Sequence, residues 1–181
     1  SIENYFNERQ GDMGVLVDIA DTQRDQAFQK LSAVNSIKKA QLKDYLSNGF
    51  SQLDLLSQGN ELATHVRNLQ QNFSNKARWQ DLLDRYDPAY TPLLKIFGWY
   101  DFFLINTSGD ILYSVTRESD LGQNLKTQLS DSSFYTAFVK ATSGNAEVVY
   151  FADFSPYGPS NNDPAAFAVK AILSNGKIIG Y

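Results

Sequence analysis

A chain of 181 residues with 43% hydrophobic and 20% charged side chains has the makeup of a folded globular protein, able to bury roughly 70% of the surface its unfolded chain exposes. Its net charge of −4 and the lack of any dense basic patch exclude a binder that gathers nucleic-acid phosphates. With no cysteine there is neither a disulfide nor a thiolate metal site, and no run reaches the ~20 apolar residues of a membrane span.

The N-terminal part reads as helix. Ile2, Tyr5, Phe6, Met13, Leu16, Ala20, Ala27, Leu31 and Val34 recur mostly at steps of three, four or seven. The rhythm resumes through Leu42, Tyr45, Leu46, Phe50, Leu53 and Leu56, then Leu62, Val66, Leu69 and Phe73, and the first proline is Pro88. "IENYFNERQGDMGVL" and "LKDYLSNGFSQLDLL" share an apolar-x-x-Tyr-apolar start and a leucine-ending tail. Two amphipathic stretches with similar core faces explain this as well as a duplication does, and two copies fall short of a solenoid. The pattern leaves one helix or two open. A single helix of about 45 residues would span ~65 Å, more than a small domain's diameter.

From Lys76 a shorter helix carries Trp79, Leu82, Leu83 and Tyr86 on one face and is expected to stop before Pro88. Asp87 would cap a new helix with Pro88 at its first position, bringing Tyr90, Leu93, Leu94 and Phe97 inward until Gly98 ends it. "FFLINTSGDILYSV" then reads as a hairpin around Asn106–Asp110. Ser130 or Asp131 would cap a helix using Phe134, Ala137, Phe138 and Ala141, with Gly144 as its stop. "VVYFADF" and "AAFAVKAIL" are further strands, and Asn175-Gly176 turns the chain into a last strand, "KIIGY". The expectation is an α+β fold: long N-terminal helix or helices, residues 1–75, packed on a five-stranded antiparallel sheet within residues 76–181.

"WYDFFLINTSGDILYSVTRESDLGQNL" followed by "VVYFADFSPYGPSNNDPAAFAVKAI" resembles the extracytoplasmic Cache-type (PAS-like, PDC-like) sensor domain of bacterial methyl-accepting chemotaxis receptors. Similar modules front some membrane histidine kinases and cyclases. The resemblance runs from about Trp79 to Tyr181, and "IENYFNERQGDMGVL" resembles the membrane-proximal helix of such a receptor. It implies a periplasmic, ligand-sensing part of an inner-membrane protein, anchored through flanking segments. A start at Ser1 without methionine and a stop within a strand pattern fit a piece of a longer chain.

Enzyme chemistry finds little support. His65 is the sole histidine, no Gly-x-Ser-x-Gly elbow accompanies it, and neither a Walker loop nor Gly-x-Gly-x-x-Gly occurs, so no cofactor is expected. "NTSGD" and "SNNDP" are oxygen-rich, but turn chemistry accounts for both and an EF-hand ladder is missing, so no metal is expected.

The binding candidates lie in the tyrosine-rich half, because a buried tyrosine combines an apolar body with a hydroxyl that needs a partner. Tyr100, Tyr113, Tyr135 and Tyr157 are expected to line a site, with Phe151, Asp153 and Ser155 on one face of a strand by alternation. Asp101 or Asp153 would supply counter-charge to a neutral or amine-bearing metabolite held between the sheet, helix 131–143 and loop 155–164, whose Pro156, Pro159 and Pro164 stiffen a rim. Asp153 reads equally well as a solvated or turn-capping residue. The long helix is expected to pair in a homodimer. An interaction or adhesion module, in which the aromatic sheet is only core, is the competing reading; a lined hollow favours the sensor, and a fully packed face the module.

Overall fold

The structure is a computed structural model that describes residues 2–181. The chain forms two compact units, the residues up to Ser47 and Asn48–Tyr181. The helix α1 (Ile2–Ser57) supplies all of the first unit's described residues and opens the second. It is one helix: no proline interrupts it, and it runs through Asn48-Gly49 to end before Gln58-Gly59. Residues 2–45 are all exposed, including Phe6, Met13, Leu16, Phe28, Leu31 and Val34. Local pairs decorate this stretch, such as Arg9 over the Tyr5 ring at 5.3 Å and Arg24 with Asp21 at 3.0 Å. Surface pairs of this kind contribute little.

In the second unit, α2 (Asn60–Asn72) places Leu62, Ala63, Val66 and Leu69 on one buried face. The helix α3 (Lys76–Phe97) is capped by Asn75, whose side chain accepts from the Arg78 amide at 3.2 Å, and ends at Gly98, where φ is +72°. The expected break at Pro88 does not occur: Pro88 and Pro92 both lie inside α3. Proline costs a helix one hydrogen bond and a clash with the carbonyl four residues back. Here the buried Tyr86 and Tyr90, one on each side of Pro88, sit four residues apart on the packed face and hold helical spacing across it. Asp87 caps nothing; its carboxylate takes the Tyr113 hydroxyl at 2.8 Å and the Arg117 guanidinium at 2.5 Å.

Three antiparallel strand pairs follow, with the helix α4 (Ser133–Ser143) between the first and second. They are β1 (Phe103–Ile105) with β2 (Ile111–Ser114), β3 (Tyr150–Tyr157) with β4 (Asp163–Val169), and β5 (Ile172–Ser174) with β6 (Lys177–Gly180). The hairpin turns fall where expected: Gly109 has φ +98°, and Asn175-Gly176 adopts φ +51° and +72°. The α4 cap is Ser132, not Ser130 or Asp131; its hydroxyl accepts from the Tyr135 amide at 3.1 Å.

A single five-stranded sheet is not formed. The edge of β1 meets the end of β6 through Ile105 and Tyr181, which exchange backbone bonds of 2.9 and 2.8 Å. The strand expected over 165–173 is divided at Lys170-Ala171, its first part pairing with β3 and its second with β6. At that division the Lys170 side chain is buried. Its ammonium lies 2.8 Å from Asp54 Oδ1 on α1 and donates to the Glu147 carbonyl at 2.6 Å.

Strands β1 and β2 are covered on both faces, so two cores form. Ile105 and Ile111 join Leu125, Phe134, Phe138, Tyr157 and Tyr181 on one side. Leu104, Leu112 and Tyr113 join α2 and α3 residues on the other, with Leu53 and Leu56 of α1 packed against them. Residues 48–75 thus share a core with the strands, although the sequence suggested a boundary at 75/76. Gly180 is required by close approach: a Cβ there would sit 2.6 Å from the Ile105 carbonyl oxygen and 2.9 Å from Val66.

The two partners of the Lys170–Asp54 pair are unequally exposed, at 3% and 43% of their side chains. Removing the outer partner leaves a buried ammonium without its carboxylate. Asp54→Asn is therefore expected to cost about 3 kcal/mol of stability and Lys170→Met much less, a ranking that urea denaturation of both variants will check. Gly180→Ala should cost about 1–3 kcal/mol in the same assay through overpacking.

Candidate functional site

The loop after β2 gathers the charge. Arg117 holds a left-handed backbone, φ +53°, unusual for a residue with a Cβ. Its guanidinium is clamped by Asp84 at 2.7 Å and Asp87 at 2.5 Å on α3, which holds the Asp84 carboxyl below its ordinary value. With Arg117 committed to α3, the next acids, Glu118 and Asp120, have no basic partner among the described ion pairs.

Asp120 is fully buried. Its Oδ2 accepts from the buried Tyr157 hydroxyl on β3 at 2.8 Å, while its Oδ1 has no hydrogen-bond partner. Burial pushes the Asp120 carboxyl up to about 6, the charges of Asp101 and Glu118 add to the rise, and the Tyr157 hydroxyl opposes it. Burial and the facing carboxylate push the Tyr157 phenol upward, so it stays a donor. Glu118 is half-buried and bridges two elements: Oε2 accepts from Ser160 at 2.5 Å, in the short 3-10 turn η1 (Gly158–Ser160), and Oε1 accepts from Tyr100.

The residues expected from sequence divide between this cluster and other roles. Tyr157 and Tyr100 belong to it, the first buried and the second 67% exposed at its rim. Asp101 borders it, but its carboxylate is saturated by the Ser114 and Thr116 hydroxyls at 2.7 and 2.6 Å and by the amides of Phe102, Val115 and Thr116. It ties β1's start to β2's end. Tyr113 is buried against α3 through Asp87, and Tyr135 packs half-buried on α4. Phe151 lies 5.8 Å from the Phe50 ring of α1, and Ser155 pairs with Ala165 in the ladder.

Asp153 falls outside the cluster. The β3 register shifts between Ala152 and Ser155, so strict alternation fails there and Asp153 is exposed, its Oδ1 accepting from the Phe154 amide at 2.8 Å. Glu118, Asp120 and Ser160 were missed. Their only sequence signal is two acids two residues apart behind a strand, and nothing local says that one of them is buried.

The hollow expected between the sheet, α4 and loop 155–164 is occupied by side chains. Phe134 stacks on Phe167 at 4.3 Å and 7°, Phe103 lies 4.8 Å from Phe134, and Tyr157 lies 4.9 Å from Phe167. A shallow depression of about 180 Å³ lies instead on α2 and α3, lined by Asn72, Arg78, Asp81, Leu82 and Arg85. Among the described residues no group of three or more His, Asp or Glu has the geometry to hold a metal ion. His65 is held by Tyr90, its Nδ1 2.5 Å from that hydroxyl, and stacks on Tyr86 at 3.7 Å. Burial lowers its pKa, against the opposing pull of Glu61.

No protein-family model matches the chain, and no curated protein does. Among solved structures, the sensor domain of the V. cholerae histidine kinase DctB aligns with a TM-score of 0.45 and 16% sequence identity, over 82% of this chain and 54% of that one. The chain spans about half the length of that sensor domain. No helix among the described residues is long and apolar enough to cross a membrane.

The Asp120 carboxyl binds its proton more tightly folded, near pH 6, than unfolded, near pH 4. Its contribution to stability is therefore greatest below pH 4, declines as pH rises through that window, and is least above it. Thermal melts from pH 3.5 to 8 should show Asp120→Asn, relative to the native chain, gaining roughly 2–3 kcal/mol across pH 4 to 6.

Proposed function

We propose that this chain is the periplasmic ligand-sensing part of a membrane receptor, binding a small amine-bearing metabolite in its C-terminal unit and passing a conformational signal across the membrane. A chemotaxis receptor and a membrane histidine kinase or cyclase are served equally by such a module. The observation that carries the reading is the sealed Asp120 carboxylate with one unpaired oxygen, bounded by two further acids and by hydroxyls from three different segments. Evolved cores satisfy their buried polar atoms, and an exception points to a partner from outside the chain. The resemblance of the strand segments to Cache-type domains supports the same reading. Catalysis has no comparable support, since no nucleophile stands beside a base in the cluster.

A ligand signals only if it prefers one arrangement of the protein over another. The Glu118–Ser160 and Tyr157–Asp120 bonds join the loop after β2 to β3 and the turn η1, so a guest at Asp120 alters how these segments are held. Homodimerisation through α1, with anchoring by flanking membrane segments, completes the proposal.

A second reading, an interaction module, is favoured by two specific features: the aromatic interior is filled, and the first unit carries exposed apolar side chains along its whole length. The readings separate in a thermal-shift panel of amino acids, amines and carboxylates. The sensor predicts a rise of several degrees with one class; an interaction module predicts no rise with any. The absence of native cysteine makes a second measurement clean. Leu16→Cys is expected to yield a disulfide-linked dimer under mild oxidation, and exclusively monomer would sink the homodimer.

A further inference from the structure

An unpartnered carboxylate oxygen in a dry interior is an expensive feature to keep. In Asp120 that oxygen is fully buried and receives no hydrogen bond. The groups facing it are all acidic or neutral: Asp101 and Glu118 raise the local negative potential, and the Tyr157 hydroxyl serves the other oxygen. Arg117, the neighbouring cation, is spent on Asp84 and Asp87. What is missing is positive charge with several short donors.

We propose that Asp120 is the anchor for a primary ammonium group of a small metabolite, admitted where Glu118 meets Ser160. The proposal rests on the ligand-sensing reading above and names the chemistry of its guest.

An ammonium group has three donors and no acceptor, and Asp120 Oδ1 is a buried acceptor with no donor of its own, in the negative field of Glu118 and Asp101. A small divalent ion fits less well, since no three acids among the described residues converge with metal-holding geometry. An anion is opposed by three carboxylates. Access is built from the exposed end of the cluster, where Tyr100 is 67% exposed and hydrogen-bonds to Glu118, and Glu118 closes on Ser160. Both sides of that contact are backbone turns held in left-handed conformations, Arg117 at φ +53° on one side and Asn161 and Asn162 at +55° and +63° on the other. Such conformations collect at ligand clamps, where the surrounding structure holds them in place.

The test is calorimetry on the whole chain with ethanolamine and putrescine, their uncharged counterparts ethylene glycol and 1,4-butanediol, and succinate and malate. Binding of an amine but not its diol, weakened at least tenfold in Asp120→Asn and unchanged in the exposed Asp153→Asn, supports the proposal. Equal amine binding by the native chain and Asp120→Asn overturns the anchor while leaving a ligand sensor. Binding of the dicarboxylates alone does the same. No binding by any probe overturns both the anchor and the sensor. Should Asp120→Asn fail to fold, the native chain still decides. Amine binding, measured from pH 5 to 8 in two buffers of different ionisation enthalpy, must expel protons toward the acid end of that range and almost none at pH 8. Absence of release at every pH in the range overturns the anchor.

Discussion

The hydrogen bond from the Tyr157 hydroxyl to Asp120 is the contact around which the C-terminal unit is organised. It spans 37 residues of sequence, joins the loop after β2 to the end of β3, and places a carboxylate where water does not reach. Burial pushes the Asp120 carboxyl up to about 6, and the Tyr157 hydroxyl only partly opposes that rise. A chain that keeps such a group tolerates a penalty that any hydrophobic side chain of similar size would avoid. The neighbouring acids deepen the penalty, and the one nearby guanidinium is directed away from it toward α3. Charge in this region is segregated: cation and counter-ions on the helix side, unbalanced anions on the side of β3 and η1.

The same unit contains a second buried charge with the opposite outcome. Lys170 is enclosed yet well served, by Asp54 and by the Glu147 carbonyl. It connects the end of α1 to the point where the fourth and fifth strands part company. The ladder with β3 ends at Val169 and the pairing with β6 begins at Ile172, so Lys170 stands at the break. The strand pairs β1–β2 and β5–β6 are joined instead through Ile105 and Tyr181, while β3–β4 is packed through α4 and the stacked Phe134 and Phe167.

These two buried charges give a physical basis for response. The Lys170 ammonium has both a carboxylate and a carbonyl partner, whereas one Asp120 oxygen has none. A positive guest at Asp120 would remove the repulsion among Asp101, Glu118 and Asp120 and stabilise the closed arrangement of the loop and turn. That is a differential interaction of the kind a two-state element needs. The exposed apolar side chains of the first unit belong to a different task. Isolated helices gain little from propensity alone, and an apolar face left in water is stabilised by covering it.

Local signals determined much of this protein. Proline-free periodicity marked the N-terminal part as helical, because 3.6-residue spacing acts through neighbours in sequence, but it left one helix or two open until the structure showed α1 continuous. Asn175-Gly176 and Gly109 specified their turns through backbone freedom at positive φ, and Gly98 ended α3 for the same reason. The aromatic and alanine positions of α4 came out buried as their spacing required. Tertiary structure decided the rest. Tyr86 and Tyr90 carried α3 through Pro88, where local sterics alone called for a stop, and a bulge turned Asp153 to solvent against strict alternation. Whether Asp101 or Asp120 was the uncompensated carboxylate was invisible in sequence. Both are aspartates in loops beside strands, and only the packing gave five donors to one and a single donor to the other. Burial and hydrogen-bond partners arise from residues distant in the chain, and those distances do not exist until it folds.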